Sequence, residues 1–331
     1  MKRRPQGSLS LSKAIPGFLQ FKAAEGLSPN TLQSYQRDLK LWQIYAGDVL
    51  VDHISTHLIQ DYLVWLRTDY TPRRITGDEH PLASKTIHNF YISLCAFFTW
   101  ACREFDFPNP IKAVPAPKFE QAPIEPFTKE EVESLLKACE FSAEVRPIDR
   151  RKYVMHRWAD RRDQAVILTL LDTGLRASEL AALKVGDVDL KSGKVIVKHG
   201  QLGGAKGGKG RTVFLGKVAR RALWRYLAER EDGEDLSAPL FLVRYDKPMT
   251  RNALRLLMAR LGKKAGVKNC HPHRFRHTMA ITYLRSGGDV FTLQALLGHS
   301  TLDMVQHYAR IAEIDVEQAH RRASPADNWR L

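Results

Sequence analysis

The sequence predicts a mostly α-helical protein with one small antiparallel β-sheet, arranged as an N-terminal helical bundle followed by an α+β domain. Three observations predict it. Apolar residues recur at helical spacing along most of the chain, as at Leu32, Tyr35, Leu39 and Trp42. Two-residue alternation is confined to Lys194–His199 and Arg211–Leu215, which read as paired strands. A stretch with six prolines, Phe107 to Phe127, separates the two regions. The length, 331 residues, suits two domains better than one small core. The expected boundaries are 1–106 for the bundle, 107–127 for an extended linker and 128–331 for the second domain.

The bundle is expected to hold four helices. The first covers about Leu11 to Ala24, interrupted at Pro16. Ser28 caps the second, with Pro29 at its first position, where the missing N–H costs nothing. The third runs near Thr56 to Arg67, with Leu58, Tyr62 and Trp65 or Leu66 inward. After a loop from Thr71 to Ala83, Ser84 caps a fourth helix reaching about Glu104. Its Phe90, Leu94, Phe97, Phe98 and Trp100 sit at helical spacing, which marks a core and not a platform for stacking bases.

The second domain opens with Thr128 and Glu131 as a capping box, starting a helix to about Ala138. Arg146 to Arg162 is dense in arginine and, as a helix, fits a polyanion backbone. Asp163 to Asp172 is apolar and helical, and Gly174 ends it. A new helix then carries Arg176, Glu179, Leu180 and Leu183. After the two strands the pattern returns to helices, with breaks at Gly233–Pro239 and Lys247–Pro248, and a last short helix at Arg310–Arg322.

Lysine and arginine total 51 against 36 acids, a net charge of +15, which points to nucleic acid as partner. The four cysteines, Cys95, Cys102, Cys139 and Cys270, form no Cys-x-x-Cys pair, so neither a disulfide framework nor a zinc knuckle is indicated. A reducing cytoplasm fits them best. The basic start, Met1 to Gln6, lacks the apolar run of a signal peptide, and no stretch is long enough to span a bilayer.

Several motifs carry chemistry. Gly203 to Gly208-Lys209 fits part of a Walker A loop, but Gly210 replaces the Ser or Thr and a strand follows in place of a helix. That removes the reason the loop holds a nucleotide. A mobile turn carrying a lysine to a phosphate is the functional alternative, and a plain flexible hairpin tip is the equal rival. His273 and Arg276 share a helix face, and His273 with His277 has the spacing of a zinc pair. Arg274 and Arg276 beside them disfavour a cation. Gly298 ends a helix, His299 follows, and Ser300 with Asp303 forms a capping box for the next, where backbone N–H groups favour an anion. Tyr308 lies on that helix, and nothing local separates it from an ordinary half-buried tyrosine.

Taken as a set in this order, the motifs say more. Thr173-Gly-Leu-Arg176-Ala-Ser-Glu-Leu180, Lys206-Gly-Gly-Lys-Gly-Arg211, His273-x-x-Arg276-His277, Leu297-Gly-His299-Ser300 and Tyr308 closely resemble the tyrosine recombinases, the phage integrases and Xer-type enzymes. The resemblance covers about Thr128 to Arg322 and extends more loosely to the bundle, which looks like that family's core-binding domain. It implies a tyrosine-recombinase catalytic domain in which Arg176 and Arg276 grip the scissile phosphate. Lys206 matches the hairpin lysine, with Lys209 a rival on the same loop. His273 and His299 match the family's two histidines, and Tyr308, nine residues after His299, matches the nucleophile. Gly210 departs from the pattern, standing where many relatives carry Glu.

The resemblance implies a site-specific recombinase that cleaves and rejoins double-stranded DNA through a 3′-phosphotyrosine bond, with no metal or other cofactor. It implies two domains clamping the duplex, a homotetramer on paired recombination sites and a role in integrating or excising a mobile element. A Xer-like dimer resolvase, a type IB topoisomerase and a regulator that has lost catalysis are the rivals; an RNA-binding structural protein would explain the charge but not the spacing. The basic side chains Arg150, Arg151, Lys152, Arg161, Arg162, Lys209 and Arg274 are expected on the DNA surface. The chemistry is coherent from below. A phenol of pKa about 10 needs its proton removed or its anion stabilised. Arginines are permanent cationic forks shaped for phosphate oxygens. The covalent link conserves the energy of the broken bond.

Overall fold

The computed structural model describes residues 9–72, 80–120, 123–140, 159–198, 210–244, 247–299, 301–312 and 324. Arg150, Arg151, Lys152, Lys206, Lys209 and Ser300 lie outside the described residues, as does the chain from 313 to 322. The chain divides into two compact units, Met1–Pro123 and Ile124–Leu331.

The first unit is built on four helices: α1 (Leu11–Ala24), α2 (Pro29–Ala46), α3 (Thr56–Thr68) and α4 (Ser84–Phe105). Helix α1 continues past Pro16 without a break. An internal proline costs about 3 kcal/mol, and the burial of Leu11, Ala14, Ile15 and Phe18 along one stripe offsets it. The Ser28 side chain accepts from the Thr31 amide at 3.3 Å and Pro29 opens α2. Ser55 does the same for α3, accepting from Leu58 at 3.2 Å. Ser84 is not a cap: it is the first helical residue of α4, and Ala83 precedes it with no side-chain bond. The core is aromatic. Phe18, Trp42, Tyr62, Phe97 and Phe98 are fully enclosed and meet edge-on.

The proline-rich stretch is shared between the units. Pro110 accepts from the Thr56 hydroxyl at 2.9 Å, Val114 from the Tyr91 hydroxyl at 3.0 Å, and the Pro117 carbonyl lies 2.9 Å from His88 Nδ1. Ile111 and Val114 are buried in the first core. Phe127 belongs to the second core.

The second unit begins with α5 (Lys129–Glu140), opened by the Thr128–Glu131 capping box, both of whose bonds are present at 3.0 and 3.2 Å. Then come α6 (Asp160–Thr173), α7 (Ala177–Ala182), β1 (Lys194–Val197), β2 (Arg211–Phe214), α8 (Lys217–Leu227), β3 (Leu242–Arg244), β4 (Lys247–Pro248), α9 (Arg251–Ala265), α10 (Pro272–Arg285), α11 (Val290–Leu297) and α12 (Asp303–Ala312). Strands β1 and β2 pair antiparallel with Val195 opposite Val213. A second ribbon, β3–β4, was not foreseen; it is only a few residues long and irregular. The larger core gathers Leu135, Ala165, Leu170, Leu175, Val195, Leu223, Leu254, Met258 and Phe275. A smaller one joins Ala280, Ile281, Leu293, Leu297, Val305 and Tyr308. Helix α10 serves both, with Phe275 in the first and Ala280 in the second. Residues 274–277 therefore lie where the two cores meet.

Candidate active site

Gly174 starts the site. It ends α6 in the left-handed conformation (φ 61°), and a Cβ there would sit 3.0 Å from Leu297 Cδ2. The tight turn lets the chain reverse into Arg176, the N-cap of α7. The Glu179 carboxylate accepts from the Arg176 amide at 2.8 Å and from its guanidinium at 2.9 Å. Arg211, on the inward face of β2, adds a two-pronged pair to the same carboxylate at 2.9 and 2.7 Å. It also donates to the Leu296 carbonyl at 2.7 Å. One half-buried carboxylate thus fixes two guanidiniums. Burial opposes its ionisation, but Arg211 and Arg176 hold the Glu179 carboxyl down at about 2.

Arg276 is 1% exposed. It donates to the Gly174 carbonyl at 2.9 Å and to the Leu297 carbonyl at 2.7 Å, so it ties the end of α6 to the end of α11. Its Nη2 is 2.7 Å from His299 Nε2. A guanidinium only donates, so Nε2 accepts and the imidazole proton sits on Nδ1. That Nδ1 is buried with no partner among the described residues. A phosphate oxygen is the kind of acceptor that suits such a donor. Burial, then Arg276, Arg176 and Arg211, push His299 down to about 4, so it stays neutral. Burial also lowers Arg276, to about 10, with Arg176 adding to the effect, which still leaves it charged.

Tyr308 is 2% exposed on α12. Its hydroxyl lies 2.8 Å from His277 Nδ1. Burial raises its pKa while Arg276 and Arg176 pull the other way, so the phenol is protonated at neutral pH. The His299 and Tyr308 rings lie nearly parallel with centroids 6.3 Å apart. The His273 ring meets His277 edge-on at 4.3 Å. Burial of its imidazole, then Arg276, lowers its pKa.

Arg176, Arg276, His273, His299 and Tyr308 are therefore gathered in one place. Sequence reasoning passed over three contributors. Glu179 was noted only as helical. Arg211 was quoted only within a motif, although the alternation with buried Val213 puts it on the inward face. His277 was weighed as a zinc ligand and otherwise quoted only within a motif. Two residues expected on the DNA surface are interior. Arg274 donates to the carbonyls of Glu125 (3.0 Å) and Lys268 (2.8 Å) and to the Glu131 carboxylate (2.8 Å), and it lies 4.0 Å over the Phe127 ring. Arg162 is buried against Asp163 and the carbonyls of Leu242 and Val243. In both cases the donors are used to hold the fold. Arg161 is half-exposed and pairs with Glu229. Among the described residues no cluster of three or more metal-ligating side chains occurs, and no helix is long and apolar enough to cross a membrane.

A buried tyrosine lies beside clustered arginines and an imidazole donor, an arrangement chemically suited to phosphoryl transfer. Comparison with known proteins gives its family. Residues 125–314 match the phage integrase family, and residues 17–105 match the phage integrase N-terminal SAM-like domain. Tyrosine recombinase XerC of Pelobacter propionicus is 31% identical over 93% of both chains. Tyrosine recombinase XerD of Xanthomonas axonopodis pv. citri is 30% identical over 95% of this chain and 98% of its own. In fold, the chain is similar to the Tn1549 transposon integrase in complex with a circular intermediate DNA, with TM-score 0.70, 22% identity, and 91% and 95% of the two chains covered. It is also similar to a lambda integrase dimer bound to a COC′ core site, with TM-score 0.68, 18% identity, and 92% and 78% covered. The chain belongs to the phage integrase family, the tyrosine-type site-specific recombinases, which cleave and rejoin DNA.

Proposed function

We propose that this recombinase cuts one strand at a time with Tyr308, forming a 3′-phosphotyrosine bond and releasing a 5′ hydroxyl. Arg176 and Arg276 hold the scissile phosphate, and His299 Nδ1 donates to one of its oxygens. Lys206 protonates the leaving 5′ oxygen, since arginine holds its proton too tightly to act as the acid. The observation that carries this reading is the buried Tyr308 ring lying nearly parallel to that of His299, centroids 6.3 Å apart, with His299 bonded to Arg276. Two protomers on each of two sites make a tetramer.

The biological role we propose is integration or excision of a mobile element. A second reading, resolution of chromosome or plasmid dimers, is favoured by the curated relatives that match nearly the whole chain, which carry Xer names. Duplexes recovered from a randomised pool by covalent capture on the protein supply the test. Located in the source genome, they sit at the ends of an inserted element under the first reading. Under the second they sit at one chromosomal locus, and loss of the gene leaves multimeric chromosomes. A protein that binds duplexes but never cleaves them is a regulator, and the catalytic reading fails.

A further inference from the structure

Helix α8 is amphipathic, but its outer face is irregular. Ala219, Leu223, Tyr226 and Leu227 fall on one stripe and are buried. A solvent-facing stripe is normally polar throughout. Here it mixes Lys217, Arg221 and Arg225 with Val218 and Trp224, which are 70% and 59% exposed. Beside it lies a groove of about 570 Å³, walled by Leu190, Lys217, Arg220, Arg221, Trp224 and Arg225. The side chains of Lys217, Arg221 and Arg225 have no hydrogen-bond or ion-pair partner among the described residues. An exposed tryptophan set among arginines is the composition of the energetic centre of a protein–protein contact. A phosphate backbone would leave the apolar surface of Val218 and Trp224 wet, so this face fits a protein better than a nucleic acid.

The same unit carries a counterpart. The turn after α8 is rich in acids, from Glu229 to Asp235, and ends on Leu236, which is 70% exposed. The turn is held rigidly. Arg230 donates to the Asp232 carboxylate at 2.8 and 2.7 Å and to the carbonyls of Pro239 (3.0 Å) and Leu240 (2.7 Å). The Asp235 carboxylate accepts from the Ser237 amide at 2.8 Å, and the Leu236 carbonyl accepts from the Gly186 amide at 3.0 Å. Asp232 and Asp235 are thereby used, and Glu229 pairs with Arg161. The side chains of Glu231 and Glu234 are exposed and have no such partner among the described residues. A fixed backbone thus presents two available acids and one apolar side chain, so little ordering entropy is lost on docking. They match the available cations and the groove of α8 in charge and in kind, yet no ion pair joins the two sets within one chain.

We propose that the outer face of α8 is a docking surface for a second copy of this chain. Glu231 and Glu234 of one copy meet Lys217, Arg221 and Arg225 of the other, and Leu236 enters the groove between Leu190 and Trp224. The contact uses none of the residues assigned to cleavage and none of those expected on DNA, so it does not depend on the reading of Tyr308. A patch this small belongs with weak, transient contacts that bury less than about 1,200 Å². Its charges lie at the surface, so salt screens them, the Debye length falling from roughly 10 Å at 0.1 M to roughly 3 Å at 1 M. The contact therefore joins copies that are already crowded together and adds little between dilute ones.

Sedimentation velocity of the full chain, freed of nucleic acid by nuclease and run at up to about 0.3 mM, reads the association. Wild type should form dimers or larger species at about 0.1 M salt and return to monomer at about 1 M. Two charge-reversed variants separate this contact from general stickiness: Arg221→Glu with Arg225→Glu, and Glu231→Lys with Glu234→Lys. Each alone should associate about tenfold or more weakly than wild type, because like charges now face each other. An equimolar mixture should regain wild-type association, since each variant complements the other at both patches. Both variants keep a large positive net charge, so overall attraction does not account for such a recovery. Trp224→Ala, whose side chain is largely exposed, should weaken association without any change of charge. Wild type that stays monomeric at about 0.1 M salt would overturn the proposal. So would reversed variants that associate like wild type, or a mixture of the two, each natively folded by circular dichroism, that fails to recover. Association that disappears on nuclease treatment would make nucleic acid the occupant of this face and overturn it as well.

Discussion

At the scale of the residue, His299 shows how one contact sets both charge and direction. Its Nε2 accepts from Arg276, so the proton sits on the buried Nδ1. Its pKa is lowered on folding, to about 4. Below the unfolded value of about 6.5 the unfolded chain binds a proton that the folded chain refuses. Stability is therefore complete above that pH and is lost as pH falls toward 4, at up to about 1.4 kcal/mol per unit for this one group. Urea denaturation across this window should show a flatter pH dependence for His299→Asn than for wild type; equal slopes would mean His299 is not held neutral. Lys206, assigned as the acid, has its own test. A 5′-bridging sulfur leaves without needing a proton, so such a substrate should restore cleavage to Lys206→Ala but not to Arg176→Ala or Arg276→Ala. Rescue of Lys209→Ala instead would move the acid three positions along the loop.

At the scale of the element, the site is a junction between the ends of α6 and α11, the start of α7, and β2. Glu179 and Arg211 hold it together, and Arg176 shares the same carboxylate. Arg211→Met removes two charge-assisted bonds but leaves Glu179 paired with Arg176, and should cost about 1.5–3 kcal/mol of stability. In the double variant Arg211→Met with Glu179→Gln the lost Glu179–Arg211 contact is counted once, so the total loss should be smaller than the sum of the two single losses. Strict additivity in equilibrium denaturation would contradict the pairing. The same element explains what could be read from sequence. Capping is local, so Ser28 with Pro29 and Thr128 with Glu131 were legible, as were both strands of the β1–β2 pair. Pro16 was misread as a break because its cost is met by packing that lies elsewhere in the chain. Arg162 and Arg274 look like DNA contacts in a basic sequence; only the fold brings the carbonyls of Leu242, Lys268 and Glu125 to their forks. His277 is one of two histidines a turn apart, and nothing in the sequence says that α12 brings Tyr308 to the second.

At the scale of the whole molecule, charge dominates. With 51 basic residues against 36 acidic ones, binding to DNA should release many counterions. Log affinity should fall linearly with log salt, with a slope of about −0.9 for each phosphate neutralised. If both units grip the duplex, the isolated second unit, Ile124–Leu331, should bind more weakly and with a shallower slope than the intact chain. Equal affinity and slope for the two would reject a two-unit grip on the duplex.

The central claim is that Tyr308 is the nucleophile. A nicked duplex whose cut strand loses its short 5′ fragment cannot be religated, so it traps the covalent intermediate. Digestion and mass spectrometry of the trapped protein should find the 3′ phosphate of DNA on the peptide containing Tyr308, and Tyr308→Phe should bind the duplex yet trap none. An adduct on Tyr283, or undiminished trapping by Tyr308→Phe, would contradict it.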